Sequence, residues 1–123
     1  MSTLSNEDIV DALRKEIPEF GPSIEEHISD NFGEILPHPL FGDLTRFIEE
    51  AWREGNTELV RRCLSWLEHV LIAGDEKIKN LVAASFVENV GPWDPEKEQF
   101  IRQWPTALRE EAKRQKDWKP QKG

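Results

Sequence analysis

A chain of 123 residues has room for one hydrophobic core and no second domain. With 37% hydrophobic and 33% charged residues it can fill that core and cover its helices with charge, and no apolar stretch nears the ~20 residues of a membrane-spanning helix. A net charge of −8 repels nucleic acid and anionic lipid, and serves either solubility alone or attraction of a basic partner.

The charge is uneven. Fourteen carboxylates against four bases leave residues 1–60 at −10, while twelve bases against ten carboxylates leave residues 61–123 at +2. No Lys or Arg falls between Lys15 and Arg46, yet Glu16, Glu19, Glu25, Glu26, Asp30, Glu34 and Asp43 do. The single cysteine, Cys63, excludes an internal disulfide and sits among Leu59, Val60, Leu64 and Leu67, as a small buried hydrophobe does. The start, MSTLSNEDIVDALRKEI, lacks the positive flank and apolar centre of a secretory signal, so a cytoplasmic protein is expected.

Apolar residues recur at helical spacing throughout, and no segment alternates like a strand. Ser5 is the expected cap of a first helix over Asn6–Ile17, with Ile9, Val10, Leu13 and Ile17 on one face and Pro18 as its stop. A second helix follows Gly21-Pro22, carries Ile24, Ile28 and Phe32 at i, i+4 and i+8, and stops at Gly33. Its other face holds Glu26 and Asp30. The stretch GEILPHPLFGD reads as an ordered loop, and a third helix as Asp43 to about Glu54. Gly55 ends that helix, Asn56 starts a fourth to about Ala73, and Gly74-Asp75 repeats the stop and start. A fifth helix, about Glu76 to Val90, contains LVAASFV and should be the central buried one. Gly91 closes it.

Asp94-Pro95 then reads as cap and first turn of a sixth helix burying Phe100, Ile101 and Trp104. Pro105 kinks or restarts it, and Leu108 is the last clear core contact. The expected fold is all-α: a compact helical bundle or a short HEAT-like stack of αα-hairpins, about six to seven helices. It covers residues 1–112, with a basic, flexible tail over 113–123.

Candidates for chemistry are few. His27, His38 and His69 form no HExxH, and CxxC, calcium-loop and phosphate-loop patterns are absent, so neither metal nor cofactor is expected. Ser65 and Ser85 lie in apolar helical runs where packing is the expected role. Adjacent carboxylates diverge by about 100° on a helix, which is poor geometry for acid–base work. No catalytic residue is assigned, and an enzyme is not expected. Asn80, ahead of the buried run, should find a structural hydrogen bond. Trp52, Trp66 and Trp104 fit the core, whereas Trp93 on its connector is either a plug over a helix end or an anchor for a partner.

Residues 30–91 also carry a recognisable pattern. Phe41–Phe47 (FGDLTRF), Gly55-Asn56, Leu67-Glu68, Gly74–Glu76 and Asn80–Glu88 (NLVAASFVE) resemble a family of small, helical, largely uncharacterised bacterial proteins. Members of this type look like immunity partners of bacterial toxins. That resemblance implies a non-catalytic protein that binds a cognate toxin domain. The acidic residues between Glu16 and Glu54 point to a toxin with a basic cleft, such as a nuclease or nucleotide-modifying enzyme. The alternative is a helical adaptor in a bacterial assembly. Glu26, Asp30, Glu34, Asp43, Glu50 and Trp93 are the candidate partner-binding residues.

Overall fold

The structure, a computed structural model, describes residues 5–118. Helix α1 spans Asn6–Glu16 and opens on a reciprocal cap. The Ser5 hydroxyl accepts the Asp8 N–H at 3.1 Å and the Asp8 carboxylate accepts the Ser5 N–H at 3.0 Å. A 3₁₀ turn at Pro18–Phe20 leads into α2, Gly21–Asp30. Then come α3 (Pro37–Arg53) and α4 (Thr57–Ala73). Helix α5 starts as Glu76–Val82, widens into a π turn over Ala83–Val87 and closes over Glu88–Val90. After a 3₁₀ turn at Pro95–Lys97, α6 covers Glu98–Arg102 and α7 covers Thr106–Trp118. Among the described residues there is no strand, so the all-α expectation holds.

Two helices run further than the sequence reading places them. Helix α3 starts at Pro37 rather than Asp43, so most of the expected loop is helical. The reason is positional: Pro37 and Pro39 occupy the first turn, where a helix has no use for an N–H donor. Leu40, Phe41 and Leu44 then extend the buried stripe of α3 toward its start. At the other end, α7 continues through Lys113 to Trp118, past the expected start of the tail. Gln115 anchors it by donating to the Ala83 carbonyl at 3.0 Å. Residues 119–123, the rest of the expected tail, lie outside the described residues.

The glycine stops act for different reasons. Gly55 has φ +79 and closes α3 with Asn56 N–H to Ala51 O at 2.9 Å and Gly55 N–H to Trp52 O at 3.1 Å, the paired bonds of a Schellman end. Gly74 has ordinary extended φ. A Cβ there would come within 2.6 Å of both Ile78 and the Val70 carbonyl, so only hydrogen fits.

Helices α3, α4 and α5 form the centre, each packed on the other two. Phe41, Leu44, Ile48, Leu67, Val82 and Phe86 have no more than 1% of their surface exposed. Helix α6 is held by a chain of rings, with centroid separations of 5.2 Å for Trp52–Phe100, 5.5 Å for Phe100–Trp104 and 5.0 Å for Trp104–Phe86. Trp52 and Ile101 are only half-buried at the edge of this chain. On the outside, Arg62 of α4 pairs with Glu19 and thereby holds that carboxyl below its usual range.

Helix α7 borrows its N-terminal cap. Pro105 stands at the cap position without a side-chain acceptor, and Glu68 of α4 fills that role. Its two carboxylate oxygens accept the Ala107 N–H at 2.8 Å and the Leu108 N–H at 2.9 Å. Glu68→Ala strips acceptors from both donors and should cost about 1–3 kcal/mol in urea denaturation. An unchanged midpoint would show that water replaces them.

Cys63 is fully buried, and desolvation pushes its thiol up to about 12. The folded chain therefore keeps its proton where the unfolded thiol, near ~8.5, has lost it. Stability from this group is intact below the unfolded value and declines as pH rises toward about 12. Two outcomes are expected: a native thiol inert to disulfide reagents at neutral pH, and a urea midpoint that falls more steeply at alkaline pH than that of Cys63→Val.

Candidate functional site: an acidic groove rimmed by an exposed phenylalanine

Helices α2 and α3 do not close fully against each other. Between them runs an open groove of about 740 Å³, whose lining includes Glu26, His27, Asp30, His38, Asp43, Arg46, Glu50 and Asn89. The spacing of the carboxylates explains the wall. Glu26 and Asp30 are one turn apart on α2, and Asp43 and Glu50 are two turns apart on α3, so each pair shares a face. Four carboxylates face the groove against one guanidinium, and that one, Arg46, is paired with Asp43.

Four of the six residues expected to bind a partner therefore meet in one place. Glu34 is exposed on the turn beyond the end of α2 and does not line the groove. Trp93 is elsewhere, lining a second hollow of about 710 Å³ with Ile101, Arg109 and Lys113. Its ring packs over the end of α5, where a Cβ built on Gly91 would lie 3.9 Å away, and it remains 41% exposed.

The floor of the groove is tied to the core. His38 Nδ1 and Ser85 Oγ form a hydrogen bond of 2.5 Å, and Asn89 Nδ2 donates to the Ser85 carbonyl at 3.3 Å. The Thr45 hydroxyl divides its one proton between the Phe41 carbonyl at 2.7 Å and the Ser85 carbonyl at 2.9 Å. Ser85 lies inside the π turn of α5, where the regular backbone ladder is interrupted and side-chain donors can reach its carbonyl. Ser85 is a buried packing residue, as expected, whereas Ser65 is exposed on α4. A serine–histidine pair can activate a nucleophile, but this hydroxyl, on a residue 8% exposed, offers little room for a substrate. Asn80 is exposed rather than buried, because Ile78, Leu81 and Val82 take the inner face of α5. Among the described residues no group of three His, Cys, Asp or Glu side chains is placed to hold a metal ion.

The turn between α2 and α3 holds what the sequence reading missed. Phe32, expected on the apolar face of α2, is 97% exposed and has φ +57. Helix α2 ends at Asp30, two residues before Phe32, in a Schellman pattern. Gly33 N–H reaches Ile28 O at 2.8 Å and Phe32 N–H reaches Ser29 O at 3.4 Å. That pattern puts Phe32 in the left-handed position usually given to glycine, with Gly33 one residue too late to take it. A left-handed non-glycine residue costs of order 1–3 kcal/mol, and burial of this ring returns nothing. The turn is nonetheless well fixed: Asn31 Nδ2 donates to His27 O at 2.7 Å, and Leu36 N–H donates to His27 Nε2 at 2.9 Å. The i, i+4, i+8 spacing concealed this, since it reads as an unbroken stripe unless the helix is known to stop.

Among the described residues, fold and site together define an all-α, seven-helix domain with an acidic groove on one side and an aromatic knob at the turn between its two walls. The chain belongs to the family described as Domain of unknown function (DUF7674), whose profile matches residues 10–119. Comparison with curated proteins and with solved structures gives no match. No helix among the described residues is long and apolar enough to cross a membrane.

The junction under the groove can be tested apart from its charge. Thr45→Val keeps the shape but removes the one hydroxyl proton shared by Phe41 O and Ser85 O, leaving the Ser85 carbonyl to Asn89 alone. A loss of about 1–2 kcal/mol is expected in thermal or urea unfolding. No loss would mean that Asn89 or water suffices.

Proposed function

We propose that this chain is a protein-binding module whose working face is the groove between α2 and α3, and that it acts as an immunity protein. Its partner is a basic toxin domain, neutralised by occupation of its cationic cleft. The observation that carries this reading is the gathering of Glu26, Asp30, Asp43 and Glu50 on one open face with a single, already paired arginine. Such a field attracts a cationic surface and accelerates encounter. The immunity role rests on the resemblance carried by Phe41–Phe47 and Asn80–Glu88, and the basic cleft of the toxin on the acidic bias. The pairing of Ser85 with His38 is read as structural, because the hydroxyl is enclosed.

The test uses a toxin domain encoded beside this chain. Co-expression with the wild type should restore growth to cells that make the toxin; failure to restore it removes the immunity reading. The variant Glu26→Lys/Asp30→Lys/Glu50→Lys should lower the association rate on the order of ten- to a hundredfold at low salt. The deficit should shrink at physiological ionic strength, where the Debye length is ~8 Å. Trp93→Ala is the control, since Trp93 lines a different hollow. If it accelerates dissociation while the triple reversal leaves association unchanged, the interface lies on the α6–α7 side instead.

A further inference from the structure

Phe32 is the most exposed large hydrophobic side chain among the described residues: Ile72 is 62% exposed and Trp93 41%, against 97% for Phe32. It alone of these has a positive φ. The neighbouring chemistry is one-sided. Asp30 and Glu34 are each two residues away, so their Cα atoms lie within ~7.6 Å of that of Phe32, and Asp30 also lines the groove. Leu36, the residue before α3, adds a smaller exposed apolar surface to the same turn.

We propose that Phe32 is the anchor of the partner interface, inserting its ring into an apolar pocket rimmed by Lys and Arg on a basic protein. This deepens the groove reading and rests on it. Three features select that occupant. The ring projects fully from a turn tied down at His27, so little order is lost when it is captured. An aromatic side chain that fills a pocket supplies most of the attachment in a small interface. The flanking carboxylates disfavour an anionic lipid surface and an acidic second copy of this chain, and they favour cations around the receiving pocket. Fast encounter is then the work of the groove, and slow release the work of Phe32.

A library of short, disulfide-closed peptides displayed on phage and panned on the whole chain supplies a probe that needs no knowledge of the natural partner. Enriched sequences should combine Lys or Arg with apolar residues. Their affinity should fall on the order of tenfold or more for Phe32→Ala and stay unchanged for Trp93→Ala. Phe32→Gly separates recognition from folding: it suits the left-handed backbone, so its urea midpoint should rise while peptide affinity falls as for Phe32→Ala. A midpoint that falls in Phe32→Gly would make the ring structural and overturn the proposal. So would enriched peptides that ignore Phe32 or carry no positive charge. Sedimentation showing a wild-type dimer that Phe32→Ala dissociates, or binding to phosphatidylcholine vesicles abolished by Phe32→Ala, would assign the ring to another occupant. Growth rescue and peptide binding fail separately. Rescue retained with Phe32-independent peptides removes the anchor alone, and Phe32-dependent peptides without rescue remove only the toxin as partner.

Discussion

The widened turn in α5 is the constraint around which the rest is arranged. A π turn leaves backbone carbonyls turned away from the regular ladder, and a buried carbonyl without a donor is costly. Ala83 O keeps a backbone donor, the Glu88 N–H, and takes a second from Gln115 on α7. Ser85 O is met by Asn89 one turn onward and by the Thr45 hydroxyl on α3, whose one proton it shares with Phe41 O. His38 adds a bond to the Ser85 hydroxyl. These contacts fix where α3 and α7 lie against α5, and the packing of Phe41, Leu44 and Phe86 follows from that placement.

Once α3 is set in this way, the groove follows. The start of α3 is held down at His38, and α2 is joined to it by a short turn whose geometry is locked through His27. The carboxylates of both helices then face a common space, and Phe32 is carried outward at its edge. Charge and aromatic ring come from opposite sides of the stability balance. The exposed carboxylates are close to neutral for folding, whereas Phe32 occupies a backbone position that works against it.

Much of this was legible in the residues. Ser5, Asn56 and Asp75 cap the helices that the sequence assigns to them, because a cap is a local hydrogen bond between near neighbours. The burial of Phe86, Leu108 and Cys63 follows from apolar periodicity alone. The acidic bias between Lys15 and Arg46 was visible as composition, but its collection into one groove needs the crossing of α2 and α3. What escaped was non-local or off-period. Two prolines concealed the first turn of α3, since proline signals a loop until the cap position is known. Nothing in LVAASFV marks a π turn, and the α3 and α7 side chains that reach its carbonyls come from far along the chain. Phe32 was hidden by a spacing that continues past the point where the helix stops.

Glu68 has a consequence for how the chain acquires its structure. A helix of 13 residues is marginal in water by itself, and α7 has proline where its own cap should be. Its first-turn donors are met only by a side chain 39 and 40 residues earlier, on a helix that must already be in place. Helix α7 is thus conditional on α4. It is therefore expected to dock as a late unit and, in native-state hydrogen exchange, to open as a group before the three central helices do.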